Sequence, residues 1–282
     1  ILTGNYHNID IFSPFLEFFI RNDFFEIYNV PISFNLFENN DLKKDYISFF
    51  NKLNESNLNY PILLLSIKDP DDINYLHELN INFNKIKKLI IFPENNKEKK
   101  NYEIFFKTLF SLNGLENNLT YLECYKLDDF DRENSFEKLN DFKSLKHLKL
   151  TGFTFKNNFT LKLYNLTHLY LANCSILSFD ENNIYNLENI YFTGSLFNKP
   201  NKLIQFPKLK ILNLNQNGNL NYLIDFSHLP NLKYINSNLI NFIKLDETQL
   251  ENILLNSNSK IPENIEKKLL KKILSIKTLI LK

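Results

Sequence analysis

Tyrosines, histidines and a few charged residues recur at one phase of this sequence: Tyr121, Glu123 and Tyr125; His147 and Lys149; His168 and Tyr170; Tyr191; and Tyr234. Such rings bring flat apolar area with a polar tip, the composition of a surface that grips another protein. The same residues raise a sharper chemistry, a metal or an acid-base pair built from His147, His168 and Glu123. Structural metal sites take about four ligands and catalytic ones about three with supporting partners, and neither a third ligand at fixed spacing nor a nucleophile accompanies the histidines. The chain has five glycines, and none is arranged as a phosphate-cradling loop. The expectation is a binding surface with no catalytic residue, no metal and no cofactor.

What must position these residues is a pattern of leucines. It reads Leu145, Leu148, Leu150; then Leu166, Leu169, Leu171 with Asn173 and Cys174 after them; then Leu209, Leu212, Leu214 with Asn217, and a weaker copy at Leu187, Ile190, Phe192. The first residues of these four copies are 21, 21 and 22 residues apart. In x-L-x-L-x the leucines point to one side of a short strand and the intervening residues to the other. One unit cannot bury its apolar side alone, whereas stacked units close a continuous core. Parallel neighbours about 4.8 Å apart would set Tyr170 against Tyr191, His147 against His168, and Glu123 against Lys149.

The spacing L-x-x-L-x-L-x-x-(N/C) resembles that of the leucine-rich-repeat family. The resemblance implies an α/β leucine-rich-repeat solenoid, with a curved parallel sheet on the concave face and helices, 3₁₀ and turn segments on the convex face. Helices are expected over 71–79 and 102–112, between the early strands. From Leu119 onward the intervals of 26, 21, 21, 22 and 23 residues leave room for little more than turns or single 3₁₀ turns. The run Leu220, Leu223, Phe226, Leu229 resembles short repeats of the phosphatase-regulator type. The chain departs from the family at the ninth position, where Leu127, Phe153, Ser195 and Ile240 replace the usual Asn or Cys.

Two regions are expected. Residues 1–60 read as a helical cap, with helices over about 15–25 and 41–53 and a degenerate strand at Ile27, Val30 and Ile32. Residues 61–282 read as the solenoid, about ten strands from Ile62, Leu65 and Ile67 to Ile276, Leu279 and Leu281, with a helix over 262–274 before the last. Its lysines, Lys267, Lys268, Lys271 and Lys272, read as a solvated face. The family resemblance implies a non-enzymatic scaffold that binds a protein on the concave face. The alternative it implies is the substrate-receptor subunit of a ubiquitin ligase, with residues 1–60 docking to the ligase core.

Composition narrows the classes further. With 33 basic and 32 acidic side chains the formal charge is +1, no basis for a nucleic-acid partner, which would need an excess able to neutralise several phosphates. No run of about 18 apolar residues is present, so no membrane span is expected, and the chain reads as a monomer. Cys124 falls on a core position and Cys174 just past a strand two repeats later, roughly 10 Å away and beyond disulfide reach. Two buried free thiols favour the cytoplasm. The sequence lacks methionine and ends on a repeat strand, which reads as trimming at both ends. Asparagine makes up about one residue in six, a drift of composition that hides single informative asparagines.

Overall fold

The structure, a computed structural model, describes residues 32–35, 47–48, 50–51, 54–55, 62–67, 81–93, 108–112, 114–125, 137–153, 160–176, 178–179, 185–194, 196–197, 206–214, 223–225, 229–237, 241–244, 252–255 and 278–281. The chain divides into two compact units, residues 1–130 with 134–145, and residues 131–133 with 146–282.

In the first unit four strands run parallel in chain order: β1 (Ile32–Asn35), β2 (Ile62–Ile67), β3 (Lys88–Pro93) and β4 (Tyr121–Cys124). The pairing of β3 with β4 sets Leu89 on Leu122 and Ile91 on Cys124, as the leucine motif requires. All four are fully buried. On β2 the register differs from the motif's by two residues. Leu63 and Leu65 pair with Leu89 and Ile91, where Leu65 and Ile67 are expected. Residues 62 to 65 are all Ile or Leu, so alternation cannot distinguish registers two residues apart. Of the strand expected at Ile27, Val30 and Ile32, only Ile32 lies among the described residues, where it opens the strand Ile32–Asn35 that pairs Phe34 with Leu65.

A 3₁₀ turn over Phe83–Lys85, capped by Asn82, whose Oδ1 accepts from the Asn84 amide at 3.2 Å, leads into β3. A one-turn helix α1 (Leu115–Asn118) leads into β4, and a second 3₁₀ segment spans Glu137–Asp141. Phe110 and Phe142 meet edge to face at 5.6 Å behind the sheet, both buried. Of the expected cap, residues 47, 48, 50, 51, 54 and 55 are helical and Phe50 is buried, residues 32–35 form β1, which joins the sheet, and the rest lies outside the described residues. The helices expected over 71–79 and 262–274 lie outside them too, as does most of 102–112, whose residues 108 and 109 are helical.

In the second unit the repeat strands are β5 (His147–Thr151), β7 (His168–Ala172), β10 (Asn189–Thr193), β12 (Ile211–Leu214), β14 (Tyr234–Ser237), β16 (Asn252–Leu255) and β17 (Thr278–Leu281), parallel and in that order. The registers follow the leucine motif throughout: Leu148, Leu169, Ile190, Leu212, Ile235, Ile253 and Leu279 form one row. Its first four members are at most 2% exposed. At about 1.5–3 kcal/mol per fully buried aliphatic side chain, such rows supply most of what holds one repeat on the next.

Connecting segments carry more β-structure than turns alone. Three two-stranded parallel ladders link them: β6 (Thr160–Leu161) with β9 (Ser178–Phe179), β8 (Ser175–Ile176) with β11 (Leu196–Phe197), and β13 (Leu223–Asp225) with β15 (Asn241–Lys244). Where each of three strands ends, the chain turns through the left-handed region, at Gly152 (φ 83°), Asn173 (φ 52°) and Gly194 (φ 62°). The turned backbone still bonds onward, Gly152 N–H to the Ala172 carbonyl and Asn173 N–H to the Thr193 carbonyl, each at 2.7 Å. The ninth position that follows Asn173 is Cys174, a buried thiol whose sulfur lies 3.4 and 3.3 Å from the carbonyls of Leu150 and Ala172, either of which can accept its one proton. Burial pushes this thiol up to about 11. Cys124, also free and buried, is pushed up by burial first and by Glu123 second.

A polar ladder runs beside the leucines. In three motifs the residue before the first leucine donates its side chain to the carbonyl two residues before the first leucine of the preceding motif. Asn186 Nδ2 reaches the Tyr164 carbonyl at 2.7 Å, Asn231 Nδ2 the Pro207 carbonyl at 2.6 Å, and in the first unit Ser144 Oγ the Asn117 carbonyl at 2.5 Å. These groups satisfy loop carbonyls that the strand ladders leave over.

Candidate functional site

The residues expected on the solvent side of the repeat strands fall in both units. In the first unit, Tyr121, Glu123 and Tyr125 alternate with the buried Leu122 and Cys124. Glu123 stands on the solvent-facing phase yet is only 6% exposed. Its neighbours enclose it: Tyr121 donates its hydroxyl to one carboxylate oxygen and Tyr125 to the other, each at 2.5 Å. Charge-assisted bonds of this kind are short and offset the cost of taking a carboxylate out of water. The flanks are closed by Lys88, whose ammonium sits 4.2 Å from the centre of the Tyr121 ring, and by Phe92, stacked on Tyr125 at 4.9 Å. Burial, reinforced by the bond to Glu123, holds the Tyr121 proton well above its ordinary range.

In the second unit two outward rows run across the strands. The first reads His147, His168, Asn189, Ile211, Tyr234; the second reads Lys149, Tyr170, Tyr191, Asn213. Within this unit the register puts His147 on His168 and Tyr170 on Tyr191. The imidazoles stack at 4.1 Å with 24° between planes, and the phenols lie 6.1 Å apart at 32°. The Lys149 ammonium lies 5.1 Å over the Tyr170 ring. All of these side chains are half-buried, walls of a surface rather than parts of the core.

Thr167 Oγ1 lies 2.9 Å from His168 Nδ1 and 3.0 Å from the Lys146 carbonyl, so one ring nitrogen of His168 is engaged by its own neighbour in the chain. Burial lowers this histidine's affinity for a second proton, an effect Glu188 opposes and Lys210 assists. Among the described residues no group of three or more His, Cys, Asp and Glu could hold a metal. No helix among the described residues is long and apolar enough to cross a membrane.

Two features escaped the sequence reading. Tyr164 and Tyr185 are exposed at 60% and 46%, each two residues before the first leucine of its motif. A row of charged residues also follows the first leucine of successive motifs, at Lys146, Glu188, Lys210 and Lys233. The signal was available, since Leu-Lys recurs at 145–146, 209–210 and 232–233.

No family model matches the chain, and no curated protein matches it. Among solved structures it is similar to an internalin from Listeria monocytogenes, at 17% identity, covering 80% of this chain and 68% of that one with a TM-score of 0.45. It is also similar to a leucine-rich-repeat protein from Leptospira interrogans, at 17% identity, covering 79% and 71% of the two chains with a TM-score of 0.36. Within each unit, one strand per motif, parallel and stacked in register, is the arrangement that the repeat requires, and on that ground the chain has the leucine-rich-repeat fold.

Proposed function

We propose that this chain is a non-enzymatic recognition scaffold that binds a protein on the solvent side of its repeat sheet. The contact residues in the second unit are His147, Lys149, His168, Tyr170, Tyr191 and Tyr234; in the first unit Tyr121 and Tyr125, whose hydroxyls hold the buried Glu123, form a second group of their own. The observation that carries the reading is the in-register row of rings, His147 on His168 and Tyr170 on Tyr191, displayed half-buried on a rigid ladder. Held by strands, such rings lose little side-chain freedom when a partner lands on them.

The test compares the chain with a Tyr170→Ala, Tyr191→Ala double variant of matched thermal stability in affinity capture from the source cells. Loss of a captured protein by the variant alone supports the reading, at about 2 kcal/mol or more of binding energy for a hot spot. An identical set of captured proteins refutes it.

A further inference from the structure

The chain as a whole is almost neutral, but its charge is not evenly spread. Among the residues of the second unit whose side chains are described, Lys146, Lys149, Lys162, Lys208, Lys210 and Lys233 stand against a single carboxylate, Glu188. Three of these lysines lie on one continuous rim. The residues that follow the first leucine of each motif, Lys146, Thr167, Glu188, Lys210 and Lys233, are joined neighbour to neighbour. Thr167 and His168 donate their amides to the Lys146 carbonyl, Glu188 and Asn189 to that of Thr167, Lys210 and Ile211 to that of Glu188, and Lys233 and Tyr234 to that of Lys210, at 2.7 to 3.0 Å. Steps along this rim are therefore those of adjacent parallel strands, about 4.8 Å.

Each rim residue directly precedes a member of the first outward row, Lys146 before His147, Lys210 before Ile211 and Lys233 before Tyr234. Lys208 joins the rim from the preceding turn, its ammonium 2.6 Å from Asn186 Oδ1. Glu188 is already engaged by Lys210 at 2.8 Å. That bond is the first cause of the low proton affinity of its carboxyl.

Resting on the reading of the outward rows as a protein-binding face, we infer that the partner contributes an acidic, extended polypeptide segment. It would lie across the strands, with carboxylates against Lys146, Lys208, Lys210, Lys233 and Lys149 and apolar side chains on Tyr170 and Tyr191. Complementary charge of this kind steers association and fixes register. The cationic groups are ammoniums throughout, with no guanidinium fork among the described residues of this unit to clasp phosphates two-handed, and so they favour carboxylates over a nucleic-acid backbone.

The experiment uses the full chain and three fluorescent probes: a twelve-residue peptide of alternating Glu with Leu and Ser, the same peptide with Gln for Glu, and a twelve-nucleotide single-stranded DNA. At low salt the Glu peptide should bind about tenfold more tightly than the Gln peptide and weaken as salt rises. Lys208→Glu with Lys233→Glu, both at exposed positions, should cost about tenfold, while Glu188→Gln, which releases Lys210, should tighten binding. A gain of affinity cannot come from a damaged fold. Equal binding of the two peptides, no binding of either, indifference to the lysine reversals, or tighter binding of the DNA than of the Glu peptide each overturn the inference. The two readings fail separately. If Tyr170→Ala, Tyr191→Ala weakens both peptides equally while charge is irrelevant, the face stands and its acidic partner falls. If the lysine reversals matter and the tyrosine changes do not, the outward rows lose their role and the inference built on them falls too.

Discussion

Gly194→Ala tests how tightly successive repeats interlock where the strands end. Gly194 holds φ at 62°, and a Cβ placed there would lie 2.2 Å from Asn173 Oδ1, one repeat earlier. Two costs follow. The left-handed backbone costs an L-residue roughly 1–2 kcal/mol. The collision obliges the Asn173 side chain, which is exposed and able to turn, to leave its rotamer for roughly 0.5–1.5 kcal/mol more. The single variant should therefore lose about 1.5–3.5 kcal/mol in urea denaturation. In an Asn173→Gly background the obstacle is gone, and Gly194→Ala should cost only the backbone share, about 1–2 kcal/mol. A coupling energy of about 0.5–1.5 kcal/mol between the two sites is the signature. Costs that simply add would show that the Asn173 side chain is no obstacle and that the described contact across the turn is wrong.

Two further outcomes follow from the hydrogen bonds. Tyr121 holds its proton more tightly folded than unfolded, so its contribution is complete below pH 10 and is lost as pH rises beyond it, where the unfolded chain ionises first. Urea midpoints at pH 9 and pH 11 should therefore fall less in Tyr121→Phe than in the parent, and equal falls would remove the clamp on Glu123 from the account. Asn186→Ala breaks the 2.7 Å bond to the Tyr164 carbonyl and should cost about 0.5–1.5 kcal/mol by thermal or chemical melting, with Asn231→Ala giving a similar loss.

Most of the sheet could be read from the leucines, because alternation with a period of two specifies both which side chains turn inward and which repeats stack. The rows His147–His168 and Tyr170–Tyr191 followed from that register alone. The reading slipped at Ile62–Leu63–Leu64–Leu65, where every position is apolar and two registers look alike. It slipped again at Glu123, whose place on the solvent phase is correct but whose burial depends on two tyrosine hydroxyls folding inward, a matter of rotamers. The ladder donors Asn186 and Asn231 were hidden for a different reason. In a chain so rich in asparagine a single one carries no signal, and only its place before the leucine gives it meaning. The lysine rim was passed over because net charge near zero conceals a local excess.

The side-chain ladder also bears on how such a chain can change length. Donor and acceptor sit at the same two positions in the repeats that use them, just before the first leucine and two residues before it. Tandem duplication of residues 166–186 would bring a copied Asn186 onto the carbonyl of Tyr185, and the stack would meet the same groups at the new seam that it meets at the old. Gain or loss of a whole 21-residue block is thus a conservative event for this architecture, whereas a two-residue slip within a block breaks both the leucine row and the polar ladder beside it.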